Sequence, residues 1–132
     1  MYCLDTNLVI DIFRGKDPGL KSKIEYIKSL GAGFAITTIT LCELYKGAFL
    51  SSNKEQSIAQ VNAFLESVSL YTQNKLSCLL FGQDFALLKD KGMQTEEADL
   101  MIASISKANN CILVTRNIKD FKNIPDLVVN AW

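Results

Sequence analysis

The chain begins Met1-Tyr2-Cys3-Leu4-Asp5-Thr6-Asn7, and this segment sets the architecture that we expect for the rest. Its first residues are typical of a short strand, and an acidic turn follows directly at Asp5. Open α/β sheets place their chemistry at the carboxyl ends of strands. Thr6 and Asn7 suit a turn or a helix N-cap, and Leu8-Val9-Ile10 then supplies the apolar contacts of a helix. The segment therefore predicts an exposed, rigidly held carboxylate at a sheet edge.

Short strands and helices alternate along the remaining sequence. Periodic apolar residues predict helices over 7–14, 18–30, 37–50, 54–69, 74–91 and 96–109, the last capped by Thr95, and a helical turn over 119–121. Further strands are expected over 34–36, 111–115 and 127–129, and the continuous apolar run at 111–115 is typical of a strand covered on both faces. The alternation predicts one α/β domain over residues 1–132: a central, mostly parallel sheet of four or five short strands between helical layers.

The composition excludes several classes of site. The chain has 132 residues, of which 48% are hydrophobic, which is enough for one real core. Its 14 Lys and Arg residues balance 14 Asp and Glu residues, so any binding of a polyanion has to be local. Histidine is absent. This absence excludes His-ligated zinc, Ser-His and Cys-His nucleophilic systems and imidazole general bases.

The cysteines and the hydropathy pattern indicate a cellular setting. Cys3, Cys42, Cys78 and Cys111 are widely spaced beside apolar residues, without a Cys-x-x-Cys pair, so we expect reduced, buried thiols and no Cys₄ metal site. No signal peptide precedes the first strand, and no apolar run approaches the ~18 residues of a membrane span. We therefore expect a cytoplasmic protein with no membrane association.

Four polar residues stand where the pattern favours apolar or neutral ones. Asp5 and Asn117 follow strands, Glu43 lies among apolar neighbours in a helix, and Asp99 lies early in a strongly apolar helix. Each alone has an ordinary explanation. Asp5 is explained as a helix cap, Glu43 as a partly exposed helix acid, and Asp99 as a first-turn acid favoured by the helix dipole. Asn117 is explained as a turn former.

Together, the three acids favour a metal site. Neither Glu43 nor Asp99 has a lysine or arginine within one helical turn on its N-terminal side, and a buried carboxylate without a cation is costly. Converging carboxylates repel one another, and a hard divalent cation relieves that repulsion. Oxygen ligands without histidine or thiolate favour Mg²⁺ or Mn²⁺ over zinc. Such sites hydrolyse phosphodiesters by activating a water and clamping the phosphate oxygens.

Five segments, in order and at their spacings, resemble those of a known family. They are Leu4-Asp5-Thr6-Asn7 with Asp11, Ile39 to Ala48, Ala98 to Ser104, Ile112 to Asn117, and Asp120 to Leu127 with Trp132 at the end. Over essentially its whole length the chain is similar to PIN-domain ribonucleases, and among them to the VapC-type toxins of toxin–antitoxin modules. The resemblance implies an α/β/α PIN-like domain and a Mg²⁺- or Mn²⁺-dependent endonuclease that cuts structured RNA, typically tRNA or ribosomal RNA. It also implies a homodimer and an antitoxin whose C-terminal segment enters the active-site groove.

The resemblance assigns roles by position. Asp5, Glu43 and Asp99 match the acids involved in metal binding, and Asn117 stands at a fourth catalytic position where many members carry Asp. That departure removes one negative charge and leaves open whether one metal ion or two are held. Asp120, three residues on, is either a partial substitute or a surface turn residue.

Further residues beside the acids are candidates for substrate contact. Thr6 and Thr115 either orient a carboxylate, contact phosphate or are plain turn residues. Arg116 and Lys119 are the first candidates for phosphate contacts, and the same role or a solvated surface position is open for Arg14, Lys46 and Lys122. The helices over 54–69 and 74–91 carry more apolar residues than one small sheet needs. Core packing and a dimer or antitoxin surface are both open for them.

Two other functions are consistent with parts of the pattern. A catalytically weak or inactive PIN-fold module that binds RNA or protein is kept open by Asn117. A phosphotransferase that is phosphorylated on aspartate is suggested only by a strand-end Asp in an α/β fold. Asn7 stands where such enzymes usually have a second acid, and no lysine directly follows Val114, so the sequence disfavours this second function.

Overall fold

The computed structural model describes residues 1–132 and shows a parallel sheet between two helical layers. The strands are β1 (Tyr2–Leu4), β2 (Phe34–Thr37), β3 (Ser69–Tyr71), β4 (Ile112–Thr115) and β5 (Val129–Ala131). The helices are α1 (Thr6–Arg14), α2 (Pro18–Ser29), α3 (Thr38–Leu50), α4 (Lys54–Leu65), α5 (Lys75–Asp90) and α6 (Glu97–Ala108), with a 3₁₀ turn at Ile118–Asp120. The strand order is β3-β2-β1-β4-β5, and every neighbouring pair is parallel. The expected fold class is confirmed.

The two faces of the sheet belong to different cores. Leu4 and Val114 pack in one core with apolar residues of α1, α2, α3 and α4. Cys3 and Leu113, one position away on the same strands, pack in the other core with α5 and α6. Because successive strand residues point to opposite faces, the apolar runs of β1 and β4 supply both cores.

Two of the central strands pass into helices almost without a connecting loop. The Asp5 carboxylate accepts a hydrogen bond from the Thr6 N–H and caps α1, so of the candidate caps the structure selects Asp5 over Thr6 and Asn7. The Thr37 hydroxyl accepts from the Thr40 N–H at 3.1 Å and caps α3. Since β1 and β2 are neighbours, the first turns of α1 and α3 begin next to each other at the carboxyl edge of the sheet.

Several expected element boundaries are wrong. The helix expected over 54–69 ends at Leu65, because the amide and hydroxyl of Ser67 both donate to the Phe64 carbonyl and close the last turn. The following Ser69–Tyr71 then forms β3, an edge strand that the sequence did not indicate. The last strand lies two residues later than expected, at Val129–Ala131. Glu96, not Thr95, precedes α6, and it makes no side-chain cap hydrogen bond.

The cysteines are only partly where they were expected. Cys3 and Cys111 are buried, whereas Cys42 and Cys78 are exposed on the outer sides of α3 and α5, and all four thiols are free. The expectation of uniformly buried thiols is therefore wrong, because apolar neighbours in a helix sequence need not share a face. None of the six helices combines the length and the apolar character that a membrane crossing requires.

Candidate active site

Asp5 lies at the end of β1, where neutral donors hold both of its carboxylate oxygens. Oδ1 accepts the Thr6 N–H at 2.8 Å, and Oδ2 accepts the Thr115 hydroxyl at 2.8 Å. The side chain is as rigid as expected, but the residue is only 5% exposed, so the expectation of an exposed carboxylate is wrong. Burial raises the pKa of Asp5, and the hydrogen bonds from Thr115 and Thr6 offset only part of that rise.

Glu43 lies one helical turn into α3 and is tied to Asp5 through Thr6. The Thr6 hydroxyl is 3.3 Å from Glu43 Oε1, while its backbone N–H serves Asp5. Burial raises the pKa of Glu43, the Thr6 hydrogen bond lowers it, and the charge of Asp5 raises it again. Lys46 is the only cation that lowers this pKa, and no ion pair joins the two side chains.

Asp99, in the first turn of α6, shows how strongly acidic this edge is. Its pKa is raised to about 7, first by burial and then by repulsion from Asp5, Asp120, Glu96 and Glu43. The structure thus brings the three predicted acids into one electrostatic neighbourhood, although they come from positions 5, 43 and 99 of the chain. A carboxylate with this pKa lacks a compensating cation.

The three acids influence one another through their charges, but they are farther apart than ligands of one shared ion would be. In the observed rotamers, no three acidic or cysteine side chains lie close enough to hold one ion together. The donor set nevertheless fits a hard divalent cation. It consists of carboxylate and hydroxyl oxygens only, and Mg²⁺ in such sites keeps several waters and takes one or two direct carboxylate ligands.

Asn117 and Asp120 form a pair beside the three acids. The Asn117 side-chain amide donates to Asp120 Oδ2 at 2.7 Å, and the Asn117 N–H donates to the Thr115 hydroxyl oxygen at 3.0 Å. Both residues are exposed. Because Asp120 also raises the pKa of Asp5 and Asp99, its charge reaches the region that an aspartate at position 117 would have served.

The two threonines predicted for substrate contact are turned towards the acids. Thr115 is fully buried and donates to Asp5, and Thr6 is 5% exposed and bridges Asp5 and Glu43. Of the three roles left open for them, this geometry favours orienting the carboxylates. Neither hydroxyl is accessible to a large substrate.

The two predicted basic contacts differ in their surroundings. The Arg116 guanidinium forms an ion pair with Asp11 at 3.1 Å, and it donates hydrogen bonds to Asp17 at 2.7 Å and to the Trp132 carbonyl at 3.0 Å. Lys119 is exposed in the 3₁₀ turn and makes no ion pair. Lys119 is therefore free to meet a phosphate, whereas the Arg116 guanidinium is already paired with two carboxylates and a carbonyl.

Thr40 is a member of this region that sequence reasoning did not single out. Its hydroxyl oxygen is 3.2 Å from the Thr6 hydroxyl oxygen and 3.5 Å from that of Thr37. The available signal was its position three residues before Glu43, which places both on one face of α3. Its partner Thr6 lies 34 residues away in sequence, so the contact itself could not be predicted from sequence spacing.

The fold and the site together define a class of protein: a single α/β/α domain with an acidic, histidine-free site at the carboxyl edge of a parallel sheet. The family model described as the PIN domain matches residues 2–127. The chain therefore belongs to the PIN-domain family, and its relatives place it in the VapC-type group.

The similarity extends over the full length of the relatives. Ribonuclease VapC1 of Haemophilus influenzae (strain R2866) is 33% identical, with 100% of this chain and 98% of the relative covered. The tRNA(fMet)-specific endonuclease VapC of Salmonella typhimurium (strain LT2) is 28% identical over 131 residues, covering 99% of this chain and 97% of the relative. A crystal structure of VapBC2 from Rickettsia felis, bound to a DNA fragment from its promoter, superposes with a TM-score of 0.92 at 31% identity. That match covers 99% of this chain and 98% of that chain, which confirms the resemblance seen in the sequence.

Proposed function

We propose that the protein is a Mg²⁺- or Mn²⁺-dependent endoribonuclease and the toxin of a type II toxin–antitoxin pair. The observation that carries the proposal is the acidic edge, by which we mean Asp5, Glu43 and Asp99 at the carboxyl edge of the sheet. Asp5 and Glu43 are held by neutral hydrogen-bond donors, and the pKa of Asp99 rises to about 7 in their field. Relatives named as ribonucleases, at 33% identity over the whole chain, support hydrolysis of RNA as the reaction.

Asp5, Glu43 and Asp99 are the residues that would hold the metal ion. When bound, a hard divalent ion supplies an activated water for attack on phosphorus and neutralises charge on the phosphate oxygens. Thr6 and Thr115 keep the Asp5 oxygens in place, so the carboxylate needs little reorganisation when its partner arrives. Asn117 completes the catalytic group by holding Asp120 at its 2.7 Å hydrogen bond, which returns a negative charge to the fourth position.

Binding of RNA would rely on local contacts, because the net charge of the chain is zero. Lys119 is the residue to which we assign a direct phosphate contact. Arg116 reaches a phosphate only if its pairs with Asp11 or Asp17 open, so we assign it mainly to holding the loop after β4. A relative named as specific for tRNA(fMet) makes tRNA the first substrate to test, with ribosomal RNA as the second.

Two protein partners follow from the same proposal. The similar structures are VapBC complexes, which supports a cognate antitoxin as a partner of this chain. Helix α5 supports a further contact, since it buries Ser77 and Asp84 but leaves Leu76 and Leu79 50% and 58% exposed. An apolar stripe of this kind on a helix is suited to a second copy of the chain, and we propose a homodimer.

One observation keeps a second function in view. Asn117 is neutral at the fourth position, and the three acids do not converge within direct ligating range of one ion. Both features are also what a catalytically weak or inactive RNA- or protein-binding module would show.

Cleavage of RNA by matched variants separates the two functions. Purified protein is incubated with bulk tRNA and Mn²⁺, and the wild type is compared with Asp5→Asn. Asparagine caps a helix as well as aspartate does, so the fold is preserved while the charge is lost. We expect the cleavage rate to fall at least about a hundredfold, while Glu55→Gln, an exposed acid at the start of α4, stays at the wild-type rate. Equal activity of Asp5→Asn and wild type would end the claim of an enzyme, and RNA binding without cleavage by the wild type would support the binding module.

A further inference from the structure

Glu96 is a further acid at the edge of the site, and it makes no contact that explains its presence there. It immediately precedes α6, but its side chain forms no capping hydrogen bond and no ion pair. Serine, threonine, aspartate and asparagine are preferred at this position, because their short side chains reach the free N–H groups of the first turn. A residue that departs from such a local preference without a compensating contact is typical of a functional site.

The start of α6 places Glu96 next to Asp99. Glu96 is the residue before the helix and Asp99 is the third residue within it, and side chains at these two positions meet in a capping box. Glu97 lies only two residues before Asp99, and helix residues at that spacing do not face each other. Both glutamates are exposed, but only Glu96 is among the acids that raise the pKa of Asp99.

The charge of Glu96 also reaches the neighbouring helix. Helix α6 packs against α3, and Glu96 raises the pKa of Glu43 on α3. Asp120, in contrast, raises the pKa values of Asp99 and Asp5. Asp99 therefore has two groups of acidic neighbours, one formed by Asp5 and Asp120 and the other by Glu43 and Glu96.

We propose that Glu96 is a further carboxylate of the metal site and contributes to its affinity for a divalent cation together with Asp99 and Glu43. This inference rests on the proposed function. Asn117 is neutral at the fourth position, and its amide already occupies one oxygen of Asp120, whereas no such contact holds Glu96. Because Mg²⁺ keeps several waters in carboxylate sites, an acid beyond direct ligating range can hold the ion through one of them.

Glu96→Gln tests this role, because it removes the charge and keeps the size of the side chain. Groups that act on a metal ion from beyond its direct ligands typically contribute ten- to hundredfold to affinity, so we expect the dissociation constant for Mn²⁺ to rise about tenfold. Glu97→Gln is the matched control. It changes the net charge equally at the adjacent exposed position, and it should keep an affinity close to that of the wild type.

The salt concentration separates a local contact from the general negative field of the site. The Debye length falls from about 8 Å at about 0.15 M salt to about 3 Å at about 1 M, so the effect of distant charges is screened at the higher concentration. The difference between Glu96→Gln and Glu97→Gln should therefore persist in high salt.

Stability without metal provides a second measurement. Both substitutions remove an acid from the positive end of α6, and so they lose a similar attraction to the helix dipole. Only Glu96→Gln also relieves repulsion with Asp99 and Glu43. In urea denaturation with EDTA, we expect Glu96→Gln to have a higher midpoint than Glu97→Gln.

The experiment measures free Mn²⁺ by electron paramagnetic resonance during titration of the full chain, and the Mn²⁺ concentration for half-maximal cleavage of bulk tRNA. Both values should rise about tenfold in Glu96→Gln and stay near those of the wild type in Glu97→Gln.

Wild-type values in Glu96→Gln, an equal loss in Glu97→Gln, or a loss that vanishes in high salt would overturn the role of Glu96 while leaving the proposed nuclease intact. A lower urea midpoint than that of Glu97→Gln would also overturn it, because Glu96 would then support the fold. A wild type that neither binds Mn²⁺ nor cleaves RNA would instead refute the proposed function, and the inference with it.

Discussion

Buried acids occur in two regions of this molecule, and their partners differ. Between α5 and α6, the buried Asp84 carboxylate accepts from Lys107 Nζ at 2.8 Å. At the carboxyl edge of the sheet, Asp5 and Glu43 accept only from hydroxyls and a backbone amide. The charge of a buried carboxylate with a cationic partner is neutralised by that partner, whereas carboxylates held by neutral donors still repel one another.

A cationic partner also affects the pKa of an exposed acid, and Asp17 at the surface can be compared with Asp99 at the sheet edge. The hydrogen bond from Arg116 lowers the pKa of Asp17, while burial and neighbouring acids raise the pKa of Asp99 to about 7. Burial alone therefore does not distinguish a functional acid from a structural one here. The charge of the hydrogen-bond partner distinguishes them. Substitutions in the two regions should therefore change the stability of the protein in opposite directions.

The largest expected effect on stability comes from breaking the buried ion pair. Lys107→Met leaves Asp84 buried without a cation, which should reduce the free energy of unfolding by about 3–5 kcal/mol in urea denaturation. Lys89→Met, at the last turn of α5, is the control and should change little. The double variant Asp84→Leu with Lys107→Met should recover most of the loss. A loss below about 1 kcal/mol in the single variant would show that Asp84 takes up a proton or reaches solvent instead.

At the acidic edge, removal of a charge should increase the free energy of unfolding instead of reducing it. Asp99→Asn should stabilise the metal-free protein by roughly 1–2 kcal/mol at pH 7.5, a figure discounted for solvent screening because Asp99 is half-buried. The pKa of Asp99 is higher in the folded than in the unfolded state. Its contribution to stability is therefore fully present below about pH 4 and is lost as the pH rises to about 7.

Urea denaturation in EDTA at about pH 5 and about pH 7.5 measures this effect. The decline in stability between the two pH values should be smaller in Asp99→Asn than in the wild type. Asp90→Asn, at the end of α5, should decline as the wild type does. If Asp99→Asn destabilises the protein at both pH values, Asp99 is a structural residue.

The smallest expected effect concerns Arg116. Arg116→Gln should lower the melting temperature by no more than about 3 °C, because its ion pairs are close to the surface. The pKa of Asp17 is lowered in the folded state, so this contribution is present above the pKa of the unfolded chain and disappears as the pH falls through the folded value. Cleavage of RNA should stay near the wild-type rate. A marked loss of cleavage with an unchanged melting temperature would instead assign Arg116 to phosphate binding.

The sequence predicted the fold well where local signals agreed with tertiary packing. The strand at 111–115 and the helix over 37–50 were predictable because apolar continuity and helical periodicity are local properties. Strand β3 could not be predicted in this way. Val68 continues the helical spacing of α4, and no glycine or proline marks the turn at Ser67 that ends the helix. Helix α5 buries Asp84 and not Leu79 because Lys107 is available 23 residues later, a partner that no local pattern reveals.

The candidate site shows the same division. Asp5 was identified from its position at the end of a strand, and Glu43 and Asp99 from their apolar neighbours and missing cations. The structure brings the charges of all three together. The hydrogen bond of Arg116 depends on Asp17, 99 residues away, and the contact of Thr40 depends on Thr6. Side-chain partners at such separations are set by the packing of α1 against α3 and of β4 against β1, which sequence spacing does not specify.

Titration of the metal-free protein with Mn²⁺, followed by urea denaturation, tests the acidic edge most directly. Binding to the folded state alone should raise the free energy of unfolding with Mn²⁺ concentration, by about 2.7 kcal/mol at a hundred times the dissociation constant. The rise should disappear in the triple variant Asp5→Asn, Glu43→Gln, Asp99→Asn. If millimolar Mn²⁺ left the free energy of unfolding of the wild type unchanged, or raised that of the triple variant equally, a metal site built from these three acids would be contradicted.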